Sequence, residues 1–217
     1  MSEHDYTAMR KAMIDGQLRT SAVNDPRVVA ALQAVPRERF VPADRQAAAY
    51  IDRTVPLGGG RALNTPLATA RLLNELQPRG DERLLLVGAA TGYGAAVASL
   101  LVAEVFALEE DTGLAAEAEV ALAAAENVTV VSGPLARGHA AGAPYDLVLI
   151  DGVIEAVPEA LIDQLAPGGR LATAVLQHGV SRLAVGVRTA GGFGLRMVAD
   201  AEAAHLPGFA RPAEFRF

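Results

Sequence analysis

Residues 84–94 read LLLVGAATGYG. Four consecutive apolar side chains, Leu84–Val87, suit a strand covered on both faces, because neither face needs a polar side. Gly88, Gly92 and Gly94 then let the backbone bend sharply and let a ligand approach where a Cβ would obstruct it. A helix over Gly92–Leu101 completes a strand–turn–helix unit. The plain alternative is a tight strand–helix turn that holds nothing.

Beyond this unit, short apolar runs alternate with helical patterns. Glu104–Leu108, Val128–Val131, Tyr145–Ile150 and Gly169–Val175 read as strands, and Thr112–Ala125 and Val157–Leu165 as helices. Strands separated by helices of this length predict a parallel sheet with right-handed crossovers. The rhythm then changes. Arg182–Arg188 and Leu195–Ala199 are strand-like and separated only by TAGGFG (Thr189–Gly194), so they predict an antiparallel pair closing the sheet. The expected class is α/β: a mostly parallel seven-stranded sheet, helices on both faces, and two antiparallel strands at the C-terminal end.

On the other side of the central unit, Tyr6–Gly60 reads as helical and then irregular. Asp25-Pro26 has the form of a helix start, with Asp as N-cap and Pro in the first turn, and Val28, Val29, Leu32 and Val35 follow at helical spacing. Pro36, Pro42, Pro56 and Gly58–Gly60 punctuate the rest. The chain of 217 residues is expected to form one domain, with residues 1–60 a helical extension on a core of residues 61–217. Leu206–Phe217 carries three Phe and is expected to pack on that core.

Composition narrows the function. A formal net charge of −6 disfavours a general nucleic-acid binder, which needs a surplus of Lys and Arg. The chain has no Cys, which removes thiolate catalysis and Cys-ligated zinc. His4, His139, His178 and His205 are widely separated and give no metal-ligand spacing. No stretch reads as membrane-spanning and the polar start does not read as a signal peptide, so a cytoplasmic protein is expected. Lys11 is the only Lys and no Tyr-x-x-x-Lys pair exists, which weakens a nicotinamide-dependent dehydrogenase.

Three carboxylates follow the second strand. In folds that bind dinucleotides or adenosyl cofactors, an acid about twenty residues beyond the glycines holds the ribose hydroxyls. Glu109 comes directly off the apolar run and is preferred; Glu110 and Asp111 are rivals. Asp151, after YDLVLI, stands at the sheet edge where ligands bind in open α/β folds, and either faces a ligand or caps a turn.

With those pieces placed, the chain resembles the protein-L-isoaspartate O-methyltransferase family over most of its length. The similarity is carried by MIDGQLR (Met13–Arg19), DPRVVAALQAVPRERFVP (Asp25–Pro42), AYIDRTVPLGGG (Ala49–Gly60), LLLVGAATGYGAAVASLL, APYDLVLIDG and LIDQLAPGGRL (Leu161–Leu171). VPRERFVP is the most specific, because a generic cofactor fold has no reason to contain it. The resemblance implies a Rossmann-like fold of the class I methyltransferase kind, S-adenosylmethionine as cofactor, and protein or peptide isoaspartyl carboxylates as acceptors. No nucleic-acid or membrane partner is expected, from the charge and from the lack of a spanning stretch. It places Gly88, Ala89, Ala90, Thr91, Gly92, Glu109 and Glu110 at the cofactor, and Asn64, Thr65 and Asp151 near the transferred methyl.

The departures from the family cluster at those positions. In ALNTP (Ala62–Pro66), Asn64 stands where the family has Ser. Leu86 replaces an acid, Ala90 a Gly, and Gly133-Pro134-Leu135 a Gly-Asp-Gly; Asp151 stands at a common Thr position. Two other readings therefore accompany the isoaspartyl one: a methyltransferase of the same fold with a different acceptor, and a non-catalytic module that kept the sheet.

Overall fold

The computed structural model describes residues 3–210. Helices α1 (Glu3–Met13) and α2 (Pro26–Ala34) open the chain. Asp25 caps α2 through its side chain, which accepts from the Arg27 N–H, with Pro26 in the first turn as its sequence predicts. A short antiparallel hairpin follows, β1 (Val55–Gly58) and β2 (Arg61–Leu63), then α3 (Pro66–Leu76). The alternating part comprises β3 (Arg83–Val87), α4 (Tyr93–Ala98), β4 (Glu104–Glu109), α5 (Thr112–Ala121), β5 (Val128–Ser132), β6 (Tyr145–Ile154) and α6 (Glu159–Asp163). Strands β7 (Leu165–Gln177), β8 (Val180–Thr189) and β9 (Gly192–Asp200) end the sheet.

Seven strands form one sheet in the order β5-β4-β3-β6-β7-β8-β9. Pairings from β5 through β7 are parallel, and β7–β8 and β8–β9 are antiparallel. The order reverses at β3, with β4 on one side and β6 on the other. At such a switch the two crossovers leave in opposite directions and open a crevice at the strands' carboxyl ends.

The all-apolar run of β3 explains the two cores. Successive side chains point to opposite faces. Leu84 and Leu86 join a cluster with Leu18, Leu32, Leu72 and Leu76 from the helical side. Leu85 and Val87 join a second cluster with Leu108, Val148, Ile150, Leu161 and Phe209. Phe209 thus packs as expected; Phe215 and Phe217 lie outside the described residues.

Local corrections to the sequence reading have physical causes. The helix expected over Val157–Leu165 shrinks to Glu159–Asp163, because Leu165 already pairs with Tyr145 and starts β7. The helices expected over Gly92–Leu101 and Thr112–Ala125 end earlier, at Ala98 and Ala121. The strand expected to stop at Ile150 continues to Ile154, so Asp151 lies within β6 and not after it. That extension has a backbone partner: the Val153 N–H donates to Ala204 O (2.7 Å), and the Leu206 N–H to Val153 O (3.2 Å). Residues 203–209 therefore cross the carboxyl end of β6 as a strap.

Candidate active site at the sheet's carboxyl edge

The glycine turn has the strained backbone its sequence anticipates. Gly88 and Gly92 have φ of 84° and 99°, and Ala90, at 50°, enters the left-handed region with a Cβ. The N–H groups of Gly88 and Ala89 both donate to Leu108 O (3.0 Å each), which seats the turn beside the end of β4. Thr91 is buried, and its hydroxyl donates to Phe40 O (2.6 Å), tying the turn to the VPRERFVP segment.

Of the three acids at the end of β4 and just beyond it, Glu109 is the one that reaches this turn. Its Oε2 accepts from the Ala90 N–H (2.7 Å), and its Oε1 from the N–H groups of Glu110 (3.0 Å) and Asp111 (3.1 Å). Asp111 instead caps α5, accepting from Gly113 and Leu114. Glu110 is exposed and accepts from the Leu135 N–H (3.3 Å). Pro134 stands at the position of the family's Gly-Asp-Gly acid, and Leu135 after it is buried in the second core.

Two side chains from elsewhere enter the same crevice. Arg61, at the start of β2, makes a bidentate pair with Glu109: Nη1 to Oε1 at 2.7 Å and Nη2 to Oε2 at 2.8 Å. Glu109 is 0% exposed and Arg61 6%. With five donors on its two oxygens, the carboxylate has no acceptor capacity left for a ribose diol. Leu206, on the strap, covers the glycines. A Cβ on Gly88 would lie 2.8 Å from Leu206 Cδ2, and one on Gly152 would lie 2.7 Å from Leu206 Cγ. The notch that two missing Cβ atoms leave between β3 and β6 is thus filled from within. Leu206 and Arg61 thus occupy the space beside the glycines and the Glu109 oxygens that an adenosyl ligand would use. An open cleft of about 550 Å³ remains outside it, between Gly59–Gly60 of the hairpin, Glu110–Asp111 and His205–Pro207 of the strap.

The three residues expected near the transferred methyl are brought together with unequal freedom. Asn64 donates through Nδ2 to Asp151 Oδ1 (2.8 Å), and its Oδ1 accepts from the N–H groups of Thr65 and Ala204 (3.0 Å each). Asp151 also accepts from Thr69 Oγ1 (2.8 Å), so it faces α3 and the loop and caps no turn. Burial pushes the Asp151 carboxyl up from its ordinary value; the bonds from Asn64 and Thr69 and the positive charge of Arg37 offset this only in part. Arg37 itself is fully buried, donates to the carbonyls of Ala49 and Asn64, and lies over the Tyr93 ring at 4.7 Å. Arg37 Nη1 and Tyr93 Oη are both buried without a hydrogen-bond partner among the described residues.

Thr65 is the N-cap of α3. Its hydroxyl accepts from the Ala68 N–H (3.0 Å) and donates to Glu202 O (3.2 Å). Thr65→Ala is therefore expected to cost about 1 kcal/mol in a denaturant melt, and Thr65→Ser to restore most of it. Equal loss in both variants would show that the methyl group, not the cap, matters.

Sequence reasoning missed Arg61, Leu206, Arg37 and Thr69. Arg61 had one visible signal, a lone cation directly after three glycines. Leu206 had none, because its place depends on the chain returning from β9. Among the described residues there is no cluster of acidic or His side chains able to hold a metal ion, and no helix is long and apolar enough to cross a membrane.

Comparison with known proteins agrees with the fold and with the resemblance. The family model of protein-L-isoaspartate(D-aspartate) O-methyltransferase matches residues 8–201. A protein-L-isoaspartate O-methyltransferase 1 of Rhodopseudomonas palustris is 40% identical over 168 residues, covering 76% of this chain and 69% of that protein. A protein-L-isoaspartate O-methyltransferase of Methanoregula boonei is 38% identical over 168 residues, covering 76% and 77%. Among solved structures, a protein-L-isoaspartate O-methyltransferase matches with a TM-score of 0.78 at 20% identity; it covers 94% of this chain, which spans 66% of that one. A putative member from Plasmodium falciparum, solved with S-adenosyl-L-homocysteine, matches with a TM-score of 0.76 at 16% identity, covering 92% and 98%. At these identities the solved structures speak for the fold alone. The family model and the sequence relatives go further: this chain belongs to the protein-L-isoaspartate O-methyltransferase family.

Proposed function

We propose that the chain is an S-adenosylmethionine-dependent protein carboxyl methyltransferase acting on L-isoaspartyl residues. The observation that carries this reading is the Glu109 carboxylate, delivered by β4 to 2.7 Å from the Ala90 N–H of the glycine turn. An acid and a glycine turn, joined at the point where the strand order reverses, are the two parts an adenosyl ligand needs. The cofactor supplies an activated methyl group. The acceptor is a carboxylate, already ionised at neutral pH, so the chain's task is positioning and water exclusion, and no general base is required.

Asn64 and Asp151 form the buried wall on which the acceptor side would lie, and Thr65 sets the loop that carries Asn64. Gly88, Ala89, Thr91 and Gly92 provide the turn. Binding at this turn would require Arg61 and Leu206 to move aside from the glycines and from Glu109.

The test is transfer of labelled methyl from S-adenosylmethionine to an isoaspartyl peptide, with the matching aspartyl peptide as control. Base-labile label on the isoaspartyl peptide alone is expected. Equal labelling of both peptides, or none on either, overturns the proposal.

A further inference from the structure

We infer that Arg61 and Leu206 are internal occupants of the cofactor crevice, so that ligand binding proceeds by exchange against the chain's own side chains. The inference rests on the reading above and concerns how that site is opened.

Arg61 resembles what it displaces. A guanidinium presents two parallel N–H donors to a carboxylate, and a vicinal diol presents two O–H donors to the same pair of oxygens. Arg61 meets Glu109 at 2.7 and 2.8 Å, so the carboxylate is satisfied without ligand. The closed position is nonetheless imperfect, because Arg61 Nε is buried with no partner among the described residues. A way out exists. Gly58, Gly59 and Gly60, all at positive φ, immediately precede Arg61 and can absorb a change in backbone angles. The cleft beyond them is lined by Glu110 and Asp111, whose carboxylates offer the departing guanidinium a solvated counter-charge.

Leu206 is the apolar half of the same device. It fills the Gly88–Gly152 notch, and its strap is held by Asn64 Oδ1 on the Ala204 N–H and by backbone bonds to Val153. The Asn at the family's Ser position thereby gains a function. Its amide reaches Ala204 with one end and Asp151 with the other, a span that a single hydroxyl oxygen does not provide. Strap and hairpin together keep the crevice dry and filled until a ligand takes both places.

If the competent form is a minor population, removing an occupant raises the apparent affinity by the inverse of that fraction. Titration calorimetry with S-adenosylhomocysteine would compare the full-length wild type with Arg61→Gln and, separately, Leu206→Ala. Both variants are expected to bind about tenfold more tightly or better, as for a competent fraction of about one in ten. Hydrogen exchange supplies a second readout: the Val153 and Leu206 amides should lose protection when the ligand binds wild type. Leu206→Ala lies apart from the buried ion pair, so it carries the test if Arg61→Gln melts too low. Unchanged affinity in both variants with tight wild-type binding overturns the exchange and leaves the methyltransferase reading standing. No binding by wild type or by either folded variant overturns both.

Discussion

Replacing Glu109 by Ala is expected to destabilise the fold by about 3–5 kcal/mol, the range for removing one partner of a buried ion pair. The pair lies in the interior, and the change orphans more than Arg61. Three backbone N–H groups, those of Ala90, Glu110 and Asp111, lose their acceptor together with both guanidinium nitrogens. The reverse change, Arg61→Met, leaves Glu109 with those three backbone donors and a volume of aliphatic carbon beside it. Its loss should be smaller, about 1–2 kcal/mol. Urea melts of the two variants measure the asymmetry. In thermal terms Glu109→Ala should lower Tm by on the order of 10 °C in a chain of this size. Equal losses, or a Glu109→Ala loss below about 1 kcal/mol, would mean that the carboxylate is not the organising acceptor of the turn.

Asp151→Asn is expected to stabilise the protein at pH 8 by about 1–3 kcal/mol, the scale of an uncompensated buried polar group. Burial raises the carboxyl above its ordinary 3.8, while Asn64, Thr69 and Arg37 pull the other way without cancelling it. A raised folded value means that the folded state holds its proton longer than the unfolded chain. The stability that this group contributes is then fully present below 3.8 and is lost as pH rises through the folded value. Asn retains an acceptor for Asn64 Nδ2 and Thr69 Oγ1 and does not titrate, so the variant lacks that fall. Stability curves from pH 3 to pH 9 should converge at the acid end and separate above it. A variant weaker than wild type at every pH would show that Arg37, fully buried and charged near Asp151, holds Asp151 ionised and outweighs the desolvation.

These two side chains also separate the two levels of specification. Glu109 could be picked from the sequence because three local features converge on it: an apolar strand, a glycine turn one strand earlier, and the spacing between them. Asp151 could be placed at the same sheet edge but not given its partners. Thr69 sits on α3 and Asn64 on the loop before it, so both contacts bridge more than eighty residues. The β6 extension that surrounds Asp151 depends on a strap whose local sequence, AEAAHLPGFA, has no strand pattern.

By itself the sequence determined the strands and helices, the antiparallel end of the sheet and the turn, because each follows from short-range periodicity and from glycine positions acting within a few residues. Family membership was legible too, since VPRERFVP and the glycine turn are contiguous motifs. Only the tertiary structure decided what fills the crevice. Arg61 and Leu206 arrive there from β2 and from beyond β9, 48 residues before Glu109 in one case and across the whole sheet in the other. Their contacts are set by how the chain returns in three dimensions, which no pattern of neighbouring residues encodes.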